Sequence, residues 1–352
     1  MVERSGRVGG WRGLFAAALL VGAPALAEPE AVDGMPPAVA PAVEEPLSEG
    51  GKEEATDSTP RLRLFGRLFA RMSADERQEY ARTLSIPSAR VGVSASLRYL
   101  EAEVNADLSS KTLLKDAFVR LSDSSQRLRL YGGQFKSPFL ARALESSWQL
   151  PLVRRGLVED YLTETHQLGG RRLGLMGEVS VKEAWRLKVS GGVFQGARDK
   201  DLGTRAGEDA ALRVSVRPLK GLTLGASGYL AEVFEGTRHH AAAADGTLRL
   251  GGLEVSGEYV TGRLAVGDFH AQLALASFTL PLGEEGWALQ PVAGVEAMQL
   301  RGPVRGQGHG FMGGLNVLFS EHFKALLQAE HALRPGDEAP GVEYSLQLAT
   351  RF

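Results

Sequence analysis

The chain lacks cysteine entirely and has few aromatic residues. With no cysteine among its 352 residues, disulfide bonds and thiolate metal sites are excluded. The aromatic share of 7% counts mildly against a protein with heavy aromatic girdles. After residue 27 there is also no apolar run approaching the ~20 residues of a membrane-spanning helix. Glycine, in contrast, is abundant at 43 residues, as expected for a chain with many turns and strand bends.

The first 27 residues have the pattern of a secretory signal peptide. Three arginines outweigh Glu3, an apolar run follows at 14–26, and Ala25-Leu26-Ala27 provides a small-x-small cleavage site. The run is about 13 residues long, which is too short to span a membrane as a helix. We therefore expect residues 1–27 to be removed on export.

The next segment, 28–59, differs in composition from the rest. It carries nine acidic residues against the single Lys52, is punctuated by prolines and has little to bury. Such a segment stays disordered, because burial cannot offset the entropy of ordering it. We interpret it as an acidic, proline-rich periplasmic leader before a folded part at 60–352. Without residues 1–27 the formal charge is −4, so no nucleic-acid partner is expected.

The last eleven residues alternate in polarity. Successive side chains of a strand point to opposite faces, so one face would be apolar and the other largely polar. A strand of this kind that ends on an aromatic residue is typical of the closing strand of a bacterial outer-membrane barrel. Phe352 is therefore the predicted assembly signal for the barrel-assembly machinery. The apolar parity holds Val342, Tyr344, Leu346, Leu348, Thr350 and Phe352, and the other parity holds Glu343, Ser345, Gln347, Ala349 and Arg351.

Residues 60–352 are predicted to be all-β. A hairpin of a large barrel uses about 35 residues, which predicts a transmembrane antiparallel barrel of about 16 strands, with 14 to 18 also compatible. Around Gly251-Gly252 the alternation changes phase, which indicates a bulge or a short turn. Fourteen segments are visible, at 61–71, 88–107, 113–122, 127–135, 168–180, 184–196, 209–218, 221–235, 246–261, 268–281, 286–301, 308–320, 323–334 and 341–352.

One helix is predicted outside this pattern. Ser73 and Glu76 form a capping box before residues 77–84, and Pro87 would end the helix. It would lie in a loop or at the barrel mouth between the first two strands. A plain polar loop is the alternative.

Amphipathic strands in lipid must close into a barrel, because every backbone donor and acceptor needs an internal partner there. The polar parity then lines a water-filled lumen, and passive diffusion is the default activity of a barrel this wide. Several acidic residues share that inward parity: Glu254, Glu258, Glu330 and Glu343. A soluble all-β binding protein is an alternative, since a polar sheet face can also meet water.

The longest gap between predicted strands, at about 136–167, is rich in basic residues. A long loop folded into the lumen narrows a channel, and basic side chains there favour anions. A solvated surface loop is the alternative. The candidate anion-binding residues are Lys136, Arg142, Arg154 and Arg155 in the gap, Arg171 and Arg172 just after it, and, from strand parity alone, Arg213, Arg217, Arg249 and Lys324.

Several motifs resemble the phosphate-selective porin O/P family. Leu114-Lys115-Asp116-Ala117-Phe118 resembles its "KDAY" strand, and Gly133-Gln134-Phe135-Lys136-Ser137-Pro138-Phe139 resembles the "GQFK-x-PF" strand end that leads into its constriction. Weaker similarities, in the same order along the chain, are Gly170-Arg171-Arg172-Leu173-Gly174 to its "GRR-hydrophobic-G" strand start, Gly251-Gly252-Leu253-Glu254-Val255-Ser256-Gly257-Glu258-Tyr259 to "GGLSLQGEY", and Gly314-Leu315-Asn316-Val317-Leu318 to "GLNWYL".

The resemblance covers roughly 61–352 and implies a 16-stranded, commonly trimeric outer-membrane barrel that passes small anions such as phosphate or polyphosphate. Lys136, Arg171 and Arg172 lie on its motifs, whereas Arg142, Arg154 and Arg155 lie between them. No cofactor or metal is implied. The expected partners are outer-membrane lipid, the barrel-assembly machinery, two further copies of the chain and small anions.

The sequence leaves two alternative functions open. An occluded structural or adhesive barrel would have the same strands and differ only in conductance. A barrel-embedded hydrolase would need a nucleophile, a base and an orienting group within hydrogen-bond reach. None of the seven histidines lies in a Gly-x-Ser-x-Gly or His-Glu-x-x-His motif, and no enzyme activity is expected. His239, His240 and Asp245 could form at most an adventitious metal site.

Overall fold

The structure is a computed structural model that describes residues 59–196, 207–232, 238–283, 286–302 and 306–352. The expected signal peptide, and all of the expected leader except Thr59, lie outside these residues. Within the described ranges, no helix has both the length and the apolar character needed to cross a membrane.

The described residues form a closed antiparallel barrel of sixteen strands. Each strand pairs with the next in sequence, and the first pairs with the last, from Arg67 opposite Arg351 to Asp75 opposite Glu343. The strands are β1 Arg61–Asp75, β2 Arg82–Leu97, β3 Leu100–Asp107, β4 Leu114–Ser122, β5 Leu128–Lys136, β6 Arg171–Val181, β7 Leu187–Gln195, β8 Glu208–Leu219, β9 Leu222–Glu232, β10 Arg238–Leu250, β11 Leu253–Leu264, β12 Gly267–Phe278 with its continuation Leu280–Leu282, β13 Trp287–Arg301, β14 Gly306–Leu318, β15 Phe323–Leu333 and β16 Gly341–Arg351.

The alternation in β16 has the predicted orientation. Glu343, Ser345 and Gln347 point into the barrel and are buried, whereas Tyr344 and Leu346 point outward and are exposed. At its end, Phe352 exchanges two backbone hydrogen bonds of 3.1 Å with Gly66 of β1. The predicted all-β fold and the count of sixteen are thereby confirmed.

Two of the fourteen predicted segments each contain a turn. The segment 88–107 is divided by the two-residue turn Arg98-Tyr99, and 246–261 is divided by Gly251-Gly252. The change of alternation predicted around Gly251-Gly252 therefore marks a short turn. The turn at Arg98 was not detected because it contains neither glycine nor proline, although Arg98 has a φ of 49°.

The predicted helix at 77–84 is wrong. The chain makes one turn of 3-10 helix at Glu76–Gln78, and β2 begins at Arg82. The N-cap is Asp75, whose carboxylate accepts a hydrogen bond of 2.9 Å from the Arg77 backbone N–H. Since β1 and β2 stay paired as far as Ala74 and Arg82, only a short connection remains between them. The backbone hydrogen bonds between β1 and β2 outweigh the weak local preference for a helix.

The two ends of the barrel differ. At one end, here called the turn end, strands are joined by connections as short as Lys220-Gly221, and β1 begins and β16 ends there. The opposite end, here called the loop end, carries the longer connections, including residues 137–170 between β5 and β6. The longest loop therefore begins and ends at the loop end of the barrel.

The backbones of β6 and β7 lie close together at Gly192, and this close approach can be tested by substitution. An added Cβ at Gly192 of β7 would overlap the Leu175 carbonyl oxygen, whereas nothing lies within 4 Å of one at Gly177 of β6. We expect Gly192→Ala to lower the free energy of unfolding by about 1–3 kcal/mol through overpacking, and Gly177→Ala to have little effect. The measurement is the temperature at which the folded band converts to the unfolded band on SDS gels. Equal midpoints for the two variants would contradict the crowding.

Candidate functional site

Residues 137–170, called the inserted segment, leave the loop end and turn back into the barrel. The two ends of the segment are joined by a 2.9 Å hydrogen bond from the Ser137 backbone N–H to the Gly170 carbonyl. Between them lie a helical turn at Ala141–Leu144, a second at Leu157–Glu159 and a π-helical turn at Asp160–Thr165. The Gly-Gln-Phe-Lys motif thus ends β5 where the inserted segment begins.

Inward side chains from several sides of the barrel hold the inserted segment. The Ser227 hydroxyl of β9 accepts from the Leu140 N–H at 3.3 Å. From other strands, Asn316 of β14 donates to the Pro151 carbonyl at 2.8 Å, and Gln328 of β15 accepts from the Val153 N–H at 2.7 Å. The inserted segment therefore crosses the lumen instead of lying over the mouth.

Apolar side chains anchor the same segment. Phe139 and Leu162 are fully buried in a cluster that includes Phe194, Tyr229 and Phe269 of the barrel wall. Smaller clusters lie around Trp148 and Leu152. Full burial of one such side chain contributes roughly 1.5–3 kcal/mol, so the inserted segment is a packed part of the fold.

Two inward carboxylates bind the first turns of the two short helices. Glu258 accepts from the backbone N–H groups of Ala141 at 2.7 Å and Arg142 at 3.4 Å. Glu296 accepts in the same way from Leu157 at 2.7 Å and Val158 at 3.4 Å. The first N–H groups of a helix have no partner within it, so these side chains supply the missing acceptors. Inward acidic residues here position the inserted segment.

Five of the ten predicted anion-binding residues are paired with carboxylates. The pairing places a negative charge beside each of these guanidinium groups and reduces its field at the lumen. The pairs are Arg142 with Glu145 at 2.9 Å, Arg154 with Glu343 at 2.9 Å, Arg171 with Asp116 at 2.8 Å, Arg213 with Asp245 at 2.7 Å and Arg249 with Glu254 at 2.7 Å.

The two predicted lysines are held by neutral groups. The Lys136 ammonium donates to the carbonyls of Leu144 at 3.0 Å and Glu145 at 2.7 Å. The Lys324 ammonium donates to the carbonyls of Trp148 and Leu150 and lies 5.0 Å from the centre of the Trp148 ring. Neither lysine forms a salt bridge with the described residues.

The other three arginines that were predicted to bind anions have different surroundings. Arg155 donates to the carbonyls of Arg142 and Glu145 within the inserted segment, and burial lowers the pKa of its guanidinium. Arg172 donates to the Gln167 carbonyl. Arg217 is exposed near the turn end. Among the described residues, none of the three has a carboxylate within salt-bridge distance.

The sequence reasoning missed a second set of cations. Arg67, Arg71, Arg90 and Arg351 point inward from neighbouring parts of the barrel and are half-buried; together with the predicted Arg171, which is also half-buried, they are called the basic wall. Two of the five are paired with carboxylates, Arg90 with Asp107 at 3.6 Å and Arg171 with Asp116. Arg71 donates to Gln347 at 2.9 Å and to the Val153 carbonyl at 3.0 Å, both of which are neutral. The sequence signal that could have identified Arg67 and Arg71 is the alternation in β1, where arginines at odd positions interleave with Leu62, Leu64 and Leu68.

The π-helical turn contains a buried acidic residue, Asp160, close to two other carboxylates. Burial, together with the neighbouring carboxylates of Glu159 and Glu164, raises the pKa of Asp160 to about 7. Burial also lowers the pKa of His166 in the same region. Because Asp160 titrates near neutrality, the charge of the inserted segment depends on pH.

The adventitious metal site considered at His239, His240 and Asp245 is not formed. His239 is buried inside the barrel, whereas His240 is exposed on the outer face, and Asp245 pairs with Arg213. Throughout the described ranges, no group of three or more potential ligand side chains could hold a metal ion.

Comparison with known proteins relates the chain to others through its fold. No family model matches the sequence, and no curated protein matches it. Among solved structures, the barrel is similar to OmpT of Vibrio cholerae, an outer membrane protein in its trimer form, with a TM-score of 0.62 and 12% identity over 84% of this chain and 100% of that one.

Two other structures give similar values. An anion-selective porin from Comamonas acidovorans has a TM-score of 0.60 at 10% identity, covering 84% of this chain and 100% of that one. The outer membrane channel DcaP of Acinetobacter baumannii has a TM-score of 0.63 at 8% identity, covering 84% and 99%. At such identities the likeness shows the fold, which is that of outer-membrane porins and channels.

The carboxylate at Glu296 gives a test of how the inserted segment is held. Glu296→Ala leaves two buried N–H groups without their acceptor, at a cost of about 1–3 kcal/mol each. We expect faster proteolytic cleavage within 137–170 of the folded barrel, and an intermediate rate for Glu296→Gln, which keeps one acceptor oxygen. Cleavage at the rate of the unaltered protein in Glu296→Ala would contradict the role of Glu296.

Asp160 gives a test of the pH dependence. Its pKa in the folded state is raised, so the folded segment binds the proton more tightly, and this contribution to stability is lost as pH rises through about 7. We expect faster hydrogen exchange in residues 157–166 at pH 8.5 than at pH 5.5, after correction for the intrinsic rate. Asp160→Asn should remove most of the difference, and an unchanged difference would exclude Asp160 as its source.

Proposed function

We propose that the chain is a porin of the bacterial outer membrane through which small anions diffuse passively, in the water-filled space between the inserted segment and the basic wall. The observation that carries the proposal is the set of five half-buried inward arginines on the basic wall. Opposite them, the inner surface of β9–β13 near the loop end carries a buried apolar cluster that packs against the inserted segment. The polar route is therefore bordered by cations.

The preference for anions follows from how the cations are held. Arg71 donates to neutral carbonyl and amide oxygens, so no carboxylate hydrogen-bonded to it offsets its charge. Lys136 and Lys324 also donate to carbonyl oxygens. A narrow passage with low-dielectric walls focuses such charge on a permeating ion. The carboxylate-paired arginines add less, so the preference should be moderate.

Phosphate or polyphosphate is the solute class that the motif resemblance suggests, and the chemistry of the basic wall suits it. A guanidinium presents a planar fork of donors that matches phosphate oxygens. Arg171 and Arg172 lie on the family motif, but Arg171 is engaged with Asp116. We therefore assign the main contact of a phosphate to Arg71, whose hydrogen-bond acceptors are neutral.

The cellular setting is part of the proposal. A cleaved signal peptide exports the chain, the barrel-assembly machinery recognises the strand that ends at Phe352, and the 28–59 leader stays in the periplasm with the turn end. Short turns at that end and longer loops at the other agree with the usual orientation of such barrels. Outer-membrane lipid surrounds the barrel, and three copies associate.

An occluded structural barrel is the second candidate. Its support is the inserted segment itself, which buries three apolar clusters against different parts of the wall. Measuring the conductance distinguishes the two functions, because an occluded barrel carries no current.

The test is the reversal potential of the refolded protein in a planar bilayer under a KCl gradient, with phosphate then added. We expect an anion-directed potential and partial block by phosphate. Arg71→Gln should lower the anion-to-cation permeability ratio several-fold. Lys182→Gln, an exposed residue in the turn between β6 and β7, should leave the ratio unchanged.

A large conductance without preference, insensitive to Arg71→Gln, would make the chain a general porin. No current from a protein that shows the folded, heat-modifiable band would replace the channel with the occluded barrel.

A further inference from the structure

The outer face of the barrel near the loop end carries four of the seven histidines: His240, His270, His309 and His331. Of these four, only His309 of β14 and His331 of β15 lie on adjacent strands. His331 pairs directly with Phe311, which is two residues beyond His309, so the two histidines are diagonal neighbours on one face of the sheet. Aromatic side chains in diagonal positions are within reach of each other. The pairing of β14 with β15 therefore brings two imidazoles together.

The rings of His309, Phe311 and His331 form a small cluster. The centres of the two imidazole rings are 6.0 Å apart, with 32° between the ring planes. The Phe311 ring lies 6.0 Å from the His309 ring and 6.3 Å from the His331 ring. Neither imidazole makes a side-chain hydrogen bond or an ion pair with the described residues. Each neutral imidazole thus keeps its acceptor nitrogen available to a ligand.

The separation of the two imidazoles is close to the separation that a shared metal ion requires. Imidazole nitrogen binds Zn²⁺ at about 2.0–2.1 Å, so two imidazoles on one tetrahedral ion have ring centres about 5 Å apart. The terminal torsion of histidine is broad, so each ring can turn a nitrogen toward the other. An approach of about 1 Å between the rings then completes the fit.

The backbone fixes the spacing of the two histidines. β14 and β15 are paired from His309 opposite Leu333 to Leu318 opposite Lys324, and β15 is paired along its other edge with β16. A slip in register would turn every side chain of the strand to the opposite face, so the strands do not slide past each other. A metal ion would meet two ligands that are already in position, which lowers the entropy cost of binding.

The two imidazoles lie at a depth where water can supply further ligands. His309 is three residues from the loop end of β14, and His331 is two residues from the loop end of β15. At ~3.3 Å per residue and a tilt of about 45°, this is about 5–7 Å below the strand ends. β14 has 13 residues, which by the same geometry span about 30 Å against an apolar band of ~25 Å. The pair therefore lies at the edge of the apolar band, and Phe311 lies two residues deeper.

We propose that His309 and His331 together bind one divalent transition-metal ion on the outer face of the barrel. Imidazole suits Cu²⁺, Ni²⁺ and Zn²⁺, and among these Cu²⁺ is generally bound most tightly. Mg²⁺ and Ca²⁺ prefer oxygen ligands and should not bind. The site has two protein ligands, which agrees with the absence of any group of three among the described residues, and water fills the remaining positions. The proposal is independent of conductance, since neither histidine faces the lumen.

The first test measures Cu²⁺ binding by the refolded protein, purified without a histidine tag. We expect one Cu²⁺ per chain, with nitrogen couplings from two imidazoles in its electron paramagnetic resonance spectrum. His309→Gln and His331→Gln should each weaken binding at least tenfold, because each removes one of the two protein ligands.

His270→Gln is the matched control and should leave the affinity unchanged. His270 is also on the outer face and three residues from the loop end of its strand, but its cross-strand neighbours are Thr261 and Gln299. Three results would overturn the proposal: no Cu²⁺ bound by the unaltered protein, unchanged binding in His309→Gln or His331→Gln, or an equal loss in His270→Gln.

A second test uses the stability of the fold. The two ligands come together only when β14 and β15 are paired, so an ion bound by both should stabilise the folded barrel. We expect Zn²⁺ to raise the temperature at which the folded band converts to the unfolded band on SDS gels, and Mg²⁺ at the same concentration to have no effect. The increase should disappear in His309→Gln and persist in His270→Gln. An equal increase in both variants would exclude the histidine pair as the site.

Discussion

The pairing of β1 with β16 is the constraint on which the rest of the molecule depends. In lipid a strand edge cannot be left open, since its N–H and C=O groups would have no partner. Closure from Arg67–Arg351 to Asp75–Glu343 removes both edges. Once the sheet is closed, every strand has one face toward the lumen and one toward the membrane, and each residue's environment follows from its parity.

Closure also explains how a long, irregular segment can be stable inside the barrel. The inserted segment has little regular structure, so its backbone groups need partners from elsewhere. The polar inner faces of the strands supply them through Glu258, Glu296, Asn316 and Gln328. Many of the polar and charged side chains in the lumen therefore hold the inserted segment in place.

The barrel has two unlike sides. Near the loop end, β10–β13 bury Val260 and Phe269 on the inside, and Gln272 and His270 lie beside Tyr259 on the outside. On β1 and β2 the arrangement is the usual one, with arginines inside and leucines and valines outside. The side formed by β10–β13 is the one covered from within by the inserted segment.

The sequence by itself determined the strands, their polarity and the closing role of the last one, because a period of two is a local property that any stretch of residues displays. It also located the basic gap that becomes the inserted segment. Tertiary structure alone decided which cations have a carboxylate beside them: Arg171 meets Asp116 from 55 residues away, whereas Lys324 donates only to carbonyls. It likewise set the Arg98 turn and brought Arg67, Arg71 and Arg351 together, since register and closure join residues that no local pattern relates.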